Sequence, residues 1–196
     1  AWFLHVPGLK IVMPSTAYDA KGLLKTAIRD DNPVLFVEQF ALYSVRGPVP
    51  EDEYLAPLGV AEVRREGSDV TVISYSRMVH QALLAAENMV KEGVNVEVID
   101  LRSIVPMDTE TILRSVEKTG RVVIAHQACV RGGVGAEIAA IISSEAFDCL
   151  DAPIERLGVP NVPIPFAPKL ERYVTPDENR IMEAIGRTVG IRPPSE

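Results

Sequence analysis

LHVPGLKIVMPSTAYDAKGLLKTAIRDDNPVLFVE, residues 4–38, reads as a strand, a capped helix and a second strand. Pro7-Gly8 is a turn signal, and residues 9–13 form a short apolar run with β-branched Ile11 and Val12, stopped by Pro14, which predicts a buried strand. Thr16 can cap a helix that carries Asp19 in its first turn. Ala17, Ala20, Leu23, Leu24, Ala27 and Ile28 then recur at three- and four-residue steps, which predicts one inward apolar face. Asp30-Asp31-Asn32-Pro33 ends the helix, because the residue before a proline is driven out of helical geometry, and residues 34–37 are again a continuous apolar strand. Three such elements cannot cover both faces of a sheet, so the stretch is expected to be the tail of an α/β domain that begins before Ala1.

Past residue 38 the periodicity stops. Arg46-Gly47-Pro48-Val49-Pro50 and the acidic Glu51-Asp52-Glu53 read as a linker, after which α/β alternation returns. Residues 60–63 and 70–74 predict strands around the turn Glu66-Gly67-Ser68-Asp69. Val79, Ala82, Leu83, Ala86, Met89 and Val90 line a helix that stops near Gly93, and residues 94–99 predict a strand. Asp108 and Glu110 open a short helix with Ile112, Leu113 and Val116 inward and Gly120 at its end. Residues 122–125 predict a strand. The glycine-rich residues 131–135 lead into a helix with Ile138, Ile141, Ile142 and Ala146, and Thr175-Pro176-Asp177-Glu178 combines an N-cap, a helix-opening proline and a capping-box glutamate before Ile181, Ile185 and Val189. Strands alternating with helices predict a mostly parallel sheet covered on both faces.

The 196 residues are 47% hydrophobic and 24% charged, with 20 basic against 27 acidic side chains and a net charge of −7. That balance opposes nonspecific attraction to nucleic acid or to an anionic membrane, so neither is expected as a partner. Two cysteines, Cys129 and Cys149, are too few for a disulfide framework and point to a reducing compartment.

Five runs, in order, carry a resemblance: residues 1–38; Glu66-Gly67-Ser68-Asp69-Val70-Thr71-Val72; Val96-Glu97-Val98-Ile99-Asp100-Leu101-Arg102; Lys118-Thr119-Gly120-Arg121; and Gly132-Gly133-Val134-Gly135-Ala136-Glu137-Ile138. Together they resemble the β subunit of the E1 component of 2-oxo acid dehydrogenase complexes, of the pyruvate, branched-chain or acetoin type. The resemblance implies the C-terminal part of a thiamin-diphosphate-fold pyrimidine domain over residues 1–47 and a linker over 48–57. A complete transketolase C-terminal-like α/β/α domain with a mostly parallel sheet would then occupy 58–196. It also implies an oxidoreductase that decarboxylates a 2-oxo acid, pyruvate first among the candidates, on thiamine diphosphate with Mg²⁺ and passes the acyl group to the lipoyl arm of E2. The expected assembly is a heterotetramer of two E1 α subunits and two β subunits, placed in the cytoplasm or, in a eukaryote, the mitochondrial matrix.

In that family the catalytic histidine and the glutamate that meets the cofactor's pyrimidine are expected upstream of Ala1, and the diphosphate and its metal on the α subunit. No catalytic or cofactor-binding residue is therefore assigned within the chain, which is expected to be inactive alone. The resemblance places a K⁺ site at Ala27, Ile28, Asp30 and Asn32. The unsatisfied carbonyls that end a helix suit a cation, and the same residues also read as an ordinary helix end with an Asp-Asn-Pro turn. It places E2 recognition at Asp151 and Glu155, which otherwise read as two solvated loop acids; an acidic pair would raise on-rate and salt sensitivity.

The remaining chemistry-bearing residues read as structural. The run 132–135 lacks the spacing of a phosphate loop and reads as a tight turn with close packing. Gln127 and Cys129 depart from the family pattern, and no Cys-His arrangement makes Cys129 a nucleophile. His5, His80 and His126 read as hydrogen-bonded structural residues, and Trp2, Phe3, Phe36 and Phe147 as core or subunit contacts. Two further readings stand beside the catalytic one: a noncatalytic dimerisation and E2-docking module, and a transketolase or deoxyxylulose phosphate synthase, in which the cofactor domain would share one long chain.

Overall fold

A computed structural model describes residues 1–191, so the last five residues of the expected second domain, 192–196, lie outside the described residues. Its strands are β1 (Lys10–Val12), β2 (Val34–Phe36), β3 (Glu62–Arg65), β4 (Val70–Ser74), β5 (Val96–Asp100), β6 (Ser103–Val105), β7 (Val122–Cys129) and β8 (Glu155–Val159). The helices are α1 (Ala17–Ile28), α2 (Arg77–Met89), α3 (Thr109–Thr119), α4 (Val134–Glu145), α5 (Pro168–Val174) and α6 (Glu178–Val189). Five strands form one sheet in the order β3-β5-β4-β7-β8, parallel throughout except for β3, which runs antiparallel to β5 at the edge.

Each face of this sheet carries its own core, as the continuous apolar strands require. Val70, Val72, Val96, Val98, Val123 and Ala125 pack with α2 and α6. The alternate residues Ile73, Ile99, Val122 and Ile124 pack with α3 and α4. The caps follow the sequence: Asp108 accepts the Thr111 amide at 3.0 Å and Gly120 closes α3 in the left-handed region. At α6 the cap is Asp177, which accepts the Arg180 amide at 3.0 Å, rather than Thr175, because α5 precedes it and ends at Thr175.

Two strands were illegible. β8 opens with Glu155 and Arg156 and contains Gly158, a composition that does not signal a strand, and it is an edge whose side chains are half-buried or exposed until Val159. β6 is three residues long and leaves the main sheet altogether: it pairs antiparallel with β1, while β2 flanks β1 in parallel, giving a second sheet β2-β1-β6. The first region is thus stitched to the second by a shared sheet. β3 starts at Glu62 rather than residue 60, β5 at Val96 rather than 94, and β7 runs on to Cys129 with an irregular register after Ala125.

Thr16 caps α1 as expected, accepting the Asp19 amide at 3.1 Å. The buried face differs from the expected one: Asp19, Gly22 and Leu23 are buried, whereas Leu24 is 43% and Ile28 75% exposed. The reason is the segment before β3, which lies along α1. Tyr54 stacks on Tyr18 with ring centroids 4.4 Å apart, the Thr26 hydroxyl donates to the Ala56 carbonyl at 2.7 Å, and a β-carbon at Gly22 would come within 2.8 Å of the Tyr54 ring. The linker is a strap rather than a free tether. Trp2 and Phe147, at 90% and 68% exposed, are not core, and β2, for all its apolar sequence, is a half-buried edge strand.

Candidate functional site

The last turn of α1 and the turn that follows it carry the four residues expected to hold a cation: Ala27 and Ile28 end the helix, and Asp30 and Asn32 lie just beyond it. The Ala27 carbonyl accepts the Asp30 amide at 3.3 Å, and the Asp30 carboxylate gathers the Asn32 backbone amide at 2.9 Å and its side-chain amide at 3.1 Å. Its other oxygen meets the Lys10 ammonium at 2.5 Å. The hydrogen bond from Lys10 holds the carboxyl down to about 2, helped by the two Asn32 donors. A cation therefore already faces Asp30, supplied by β1.

A larger polar cluster, which sequence reasoning missed, joins the two regions. Arg102 follows β5 with φ 55°, in the left-handed region, and is 8% exposed. Its guanidinium donates to Asp19 at 3.1 Å and, through two nitrogens at 3.0 and 2.8 Å, to the Val60 carbonyl, with Glu62 3.6 Å away. Its own carbonyl accepts the Met13 amide at 2.8 Å. Beside it the buried Asp100 accepts the Ser15 hydroxyl in a short hydrogen bond and the Arg102 amide at 3.1 Å. Burial pushes the Asp100 carboxyl up to about 7, against the pull of those two donors and of Arg102. His80 on α2 reaches the Ser15 carbonyl at 2.8 Å, a structural role. The only sequence signal for this cluster was charged residues ending an otherwise apolar strand, Asp100-Leu101-Arg102.

Asp151 and Glu155 each face an arginine of this chain: Arg121 at 3.4 Å and Arg187 at 2.8 Å. Asp151 lies in the turn before β8 with its amide on the Gly120 carbonyl at 2.7 Å, and Glu155 is the first residue of β8. The glycine run packs around His126. A β-carbon at Gly135 would stand 2.6 Å from Nε2, and one at Gly133 would stand 2.5 Å from the Cys129 carbonyl, so these glycines permit close approach rather than cradle an anion. His126 Nδ1 donates to the Ala128 carbonyl at 3.1 Å, and burial pushes its imidazole below the ordinary value. His5 is exposed, and Cys129 and Cys149 are free and half-buried. Among the described residues no group of three His, Cys, Asp or Glu could hold a metal ion, and no helix is long and apolar enough to cross a membrane.

The family model of the transketolase C-terminal domain matches residues 59–181, and that of the transketolase pyrimidine binding domain residues 1–45. The chain is 50% identical over 182 residues to the 2-oxoisovalerate dehydrogenase subunit beta of Bacillus subtilis, covering 91% of this chain and 56% of that protein. It is 50% identical over 185 residues to the pyruvate dehydrogenase E1 component subunit beta of Rickettsia felis, covering 94% and 57%. Against the beta subunit of the acetoin:2,6-dichlorophenolindophenol oxidoreductase of Cupriavidus necator it is 46% identical over 187 residues, covering 95% and 55%. The chain thus spans about half the length of the curated relatives it matches. Among solved structures, a split-gene transketolase titled an inactive beta4 tetramer superposes with a TM-score of 0.81 at 26% identity, covering 97% of this chain and 60% of that one. A transketolase from Pichia stipitis, at 15% identity and a TM-score of 0.64 over 96% of this chain and 26% of that one, shares the fold.

Proposed function

We propose a function from the family: the chain belongs to the transketolase C-terminal-domain family and, within it, to the group of E1 β subunits of 2-oxo acid dehydrogenases. The chain is then the part of an E1 β subunit that carries the end of the pyrimidine domain over residues 1–47, a strap over 48–57 and the C-terminal domain from 58. The observation that carries this reading is identity of 44–50% sustained over more than nine-tenths of the chain to β subunits of three such dehydrogenases. Pyruvate is the proposed substrate, with branched-chain 2-oxo acids next; the pyruvate and 2-oxoisovalerate relatives are equally identical, so turnover rather than identity ranks the two.

Thiamine diphosphate, when bound with Mg²⁺, supplies the carbanion stabilisation that decarboxylation needs. The diphosphate and Mg²⁺ are assigned to the α subunit, as the resemblance to E1 β subunits implies. This chain's share is positioning: Arg102, Asp19, Asp100 and Ser15 fix the end of the pyrimidine domain on the sheet below it. By itself the chain turns over no 2-oxo acid, a reading favoured by the "inactive" title of its split-gene transketolase neighbour. In the second reading the isolated chain acts as a dimerisation and E2-docking module; the beta4 tetramer of that neighbour supports its self-association alone.

Asp151 and Glu155 are the proposed E2 contacts, where a basic partner would have to exchange for Arg121 and Arg187. K⁺ is proposed at Ala27, Ile28, Asp30 and Asn32 in competition with the Lys10 ammonium. Lys10→Met should therefore make thermal stability rise with K⁺ more than with Na⁺, and equal responses would remove the site. The proposed location is the cytoplasm, or the matrix in a eukaryote, as for the mitochondrial relative from Dictyostelium discoideum.

The test is to purify the native protein from its own cells and follow dye reduction with pyruvate, 2-oxoisovalerate or acetoin, with and without thiamine diphosphate. Thiamine-dependent turnover, fastest with pyruvate and absent from the isolated 196-residue chain, is expected. No thiamine-dependent turnover with any of the three would overturn the catalytic reading and leave the docking module.

A further inference from the structure

The second region fills both of its cores, yet the stretch that leaves β8 stays outside them. PNVPIPFAPKLERY, residues 160–173, has proline at 160, 163, 165 and 168 and large apolar side chains at Val162, Ile164, Phe166, Leu170 and Tyr173. Phe166 is wholly exposed and the other four are 44–74% exposed. Exposed apolar residues scattered singly are ordinary, whereas five in one short stretch mark a contact with another protein.

This arm is held at both ends, by the buried Val159 before it and the buried Val174 after it. Proline shapes the part between. The residue before each proline is kept in extended geometry, and Ala167, before Pro168, has φ −67° and ψ 124°, close to polyproline II. Among the described residues the amides of Ile164 and Phe166 find no backbone acceptor, and the carbonyls of residues 163–166 no backbone donor. Pro163 and Pro165 have no amide to give, so neither a second copy of the arm nor a sheet edge can pair with it as a strand. What the arm offers is free carbonyls and apolar side chains in a preformed shape. A groove walled by aromatic rings and carrying N–H or O–H donors takes such a segment.

Charge and position narrow the partner. The chain carries a net charge of −7, but at the arm's end Lys169 and Arg172 join no ion pair among the described residues and stand beside a single acid, Glu171. Ile164 also lines a cavity with Phe3, Leu4, Leu35 and Val37, so the arm reaches the end of the pyrimidine domain. The α subunit, to which the diphosphate is assigned, has to approach that domain, and it meets the arm in doing so.

We propose that residues 163–173 are a docking arm for the α subunit, seated in a groove with aromatic walls and an acidic rim, with Phe166 as the central anchor. The proposal rests on the E1 β reading, which supplies the second subunit. The test uses the assembly purified from its own cells, carrying either the parent sequence or Phe166→Ser, with amide exchange of the arm followed in the assembly and in the separated subunit. The arm's amides should be protected in the assembly and exposed in the separated subunit. Phe166→Ser should weaken association of the two subunits about thirtyfold or more. The separated variant should melt at the parental temperature, because Phe166 is not packed against its own chain. Arg172→Glu should slow association, and less so at high salt. Parental association by Phe166→Ser, or arm amides that stay unprotected in an assembly containing the second subunit, would overturn this proposal alone. A lower melt of the separated Phe166→Ser subunit would place the arm against its own chain and overturn it too. A parent with no second subunit would overturn the E1 β reading together with the proposal.

Discussion

α1 and α2 repeat apolar residues at the same helical spacing, yet α2 buries Met78, Val79, Ala82, Ala85, Ala86 and Met89, whereas α1 buries only Asp19, Gly22 and Leu23. The same contrast holds for the regions around them. In residues 1–57 the buried hydrophobic side chains are Ile11, Val12, Leu23 and Ala56, while the two continuous cores belong almost wholly to residues 58–191. Periodicity says which side of a helix wants cover; it does not say whether the same chain provides it. The second region closes on itself with helices on both faces. The first has cover on one side only, from β6, the strap and the Arg102 cluster, and turns Leu24, Ile28 and Phe40 outward. In the functional account those faces are met by the partner subunit and by the rest of the pyrimidine domain.

The strongest way to break this contrast is to remove residues 1–47. The remainder should still melt in one cooperative transition, because its cores lie on the five-stranded sheet; a broad, noncooperative melt would show that the boundary is wrong. Arg102→Met comes next. It leaves Asp19 buried without its cation, so urea unfolding of the 196-residue chain should show a loss of about 3–5 kcal/mol, with faster amide exchange in β1 than in β4. A loss spread evenly over both regions would mean that the cluster is not what joins them.

A smaller effect follows from pH. Because the Asp100 carboxyl is raised from 3.8 to about 7 in the folded chain, the folded state holds this proton more tightly than the unfolded state does. Between those values unfolding releases a proton, so this group's contribution makes stability fall as pH rises from about 4 to about 7 and level off above. Asp100→Asn should flatten that slope in stability measured against pH, and an unchanged slope would assign it elsewhere. The smallest effect is expected at Arg187→Gln, which removes the exposed pair with Glu155 and should cost about 0–1 kcal/mol; a larger loss would make that edge part of the core.

The helices and the central strands were legible because their burial is dictated by their own residues: Val70–Ser74 and Val96–Asp100 are fully buried runs, and Thr16, Asp108 and Gly120 mark helix ends through local hydrogen bonds. What escaped depends on distant partners. β6 is a strand only because β1 lies beside it, and β8 only because β7 offers an edge. The Arg102 cluster joins residues as far as 83 and 85 positions apart, which no local pattern announces. Likewise Asp30 could be read as a helix-end acid, but its pairing with Lys10, on a strand before the helix, could not.

The central claim is that this chain is part of an assembly whose other subunit covers the open side of residues 1–57. Native mass spectrometry of the protein isolated from its own cells, with the masses of its components taken after denaturation, tests it most directly. The account predicts a hetero-oligomer in which this chain is paired with a second, larger subunit; a homo-oligomer of this chain with no second subunit would contradict it.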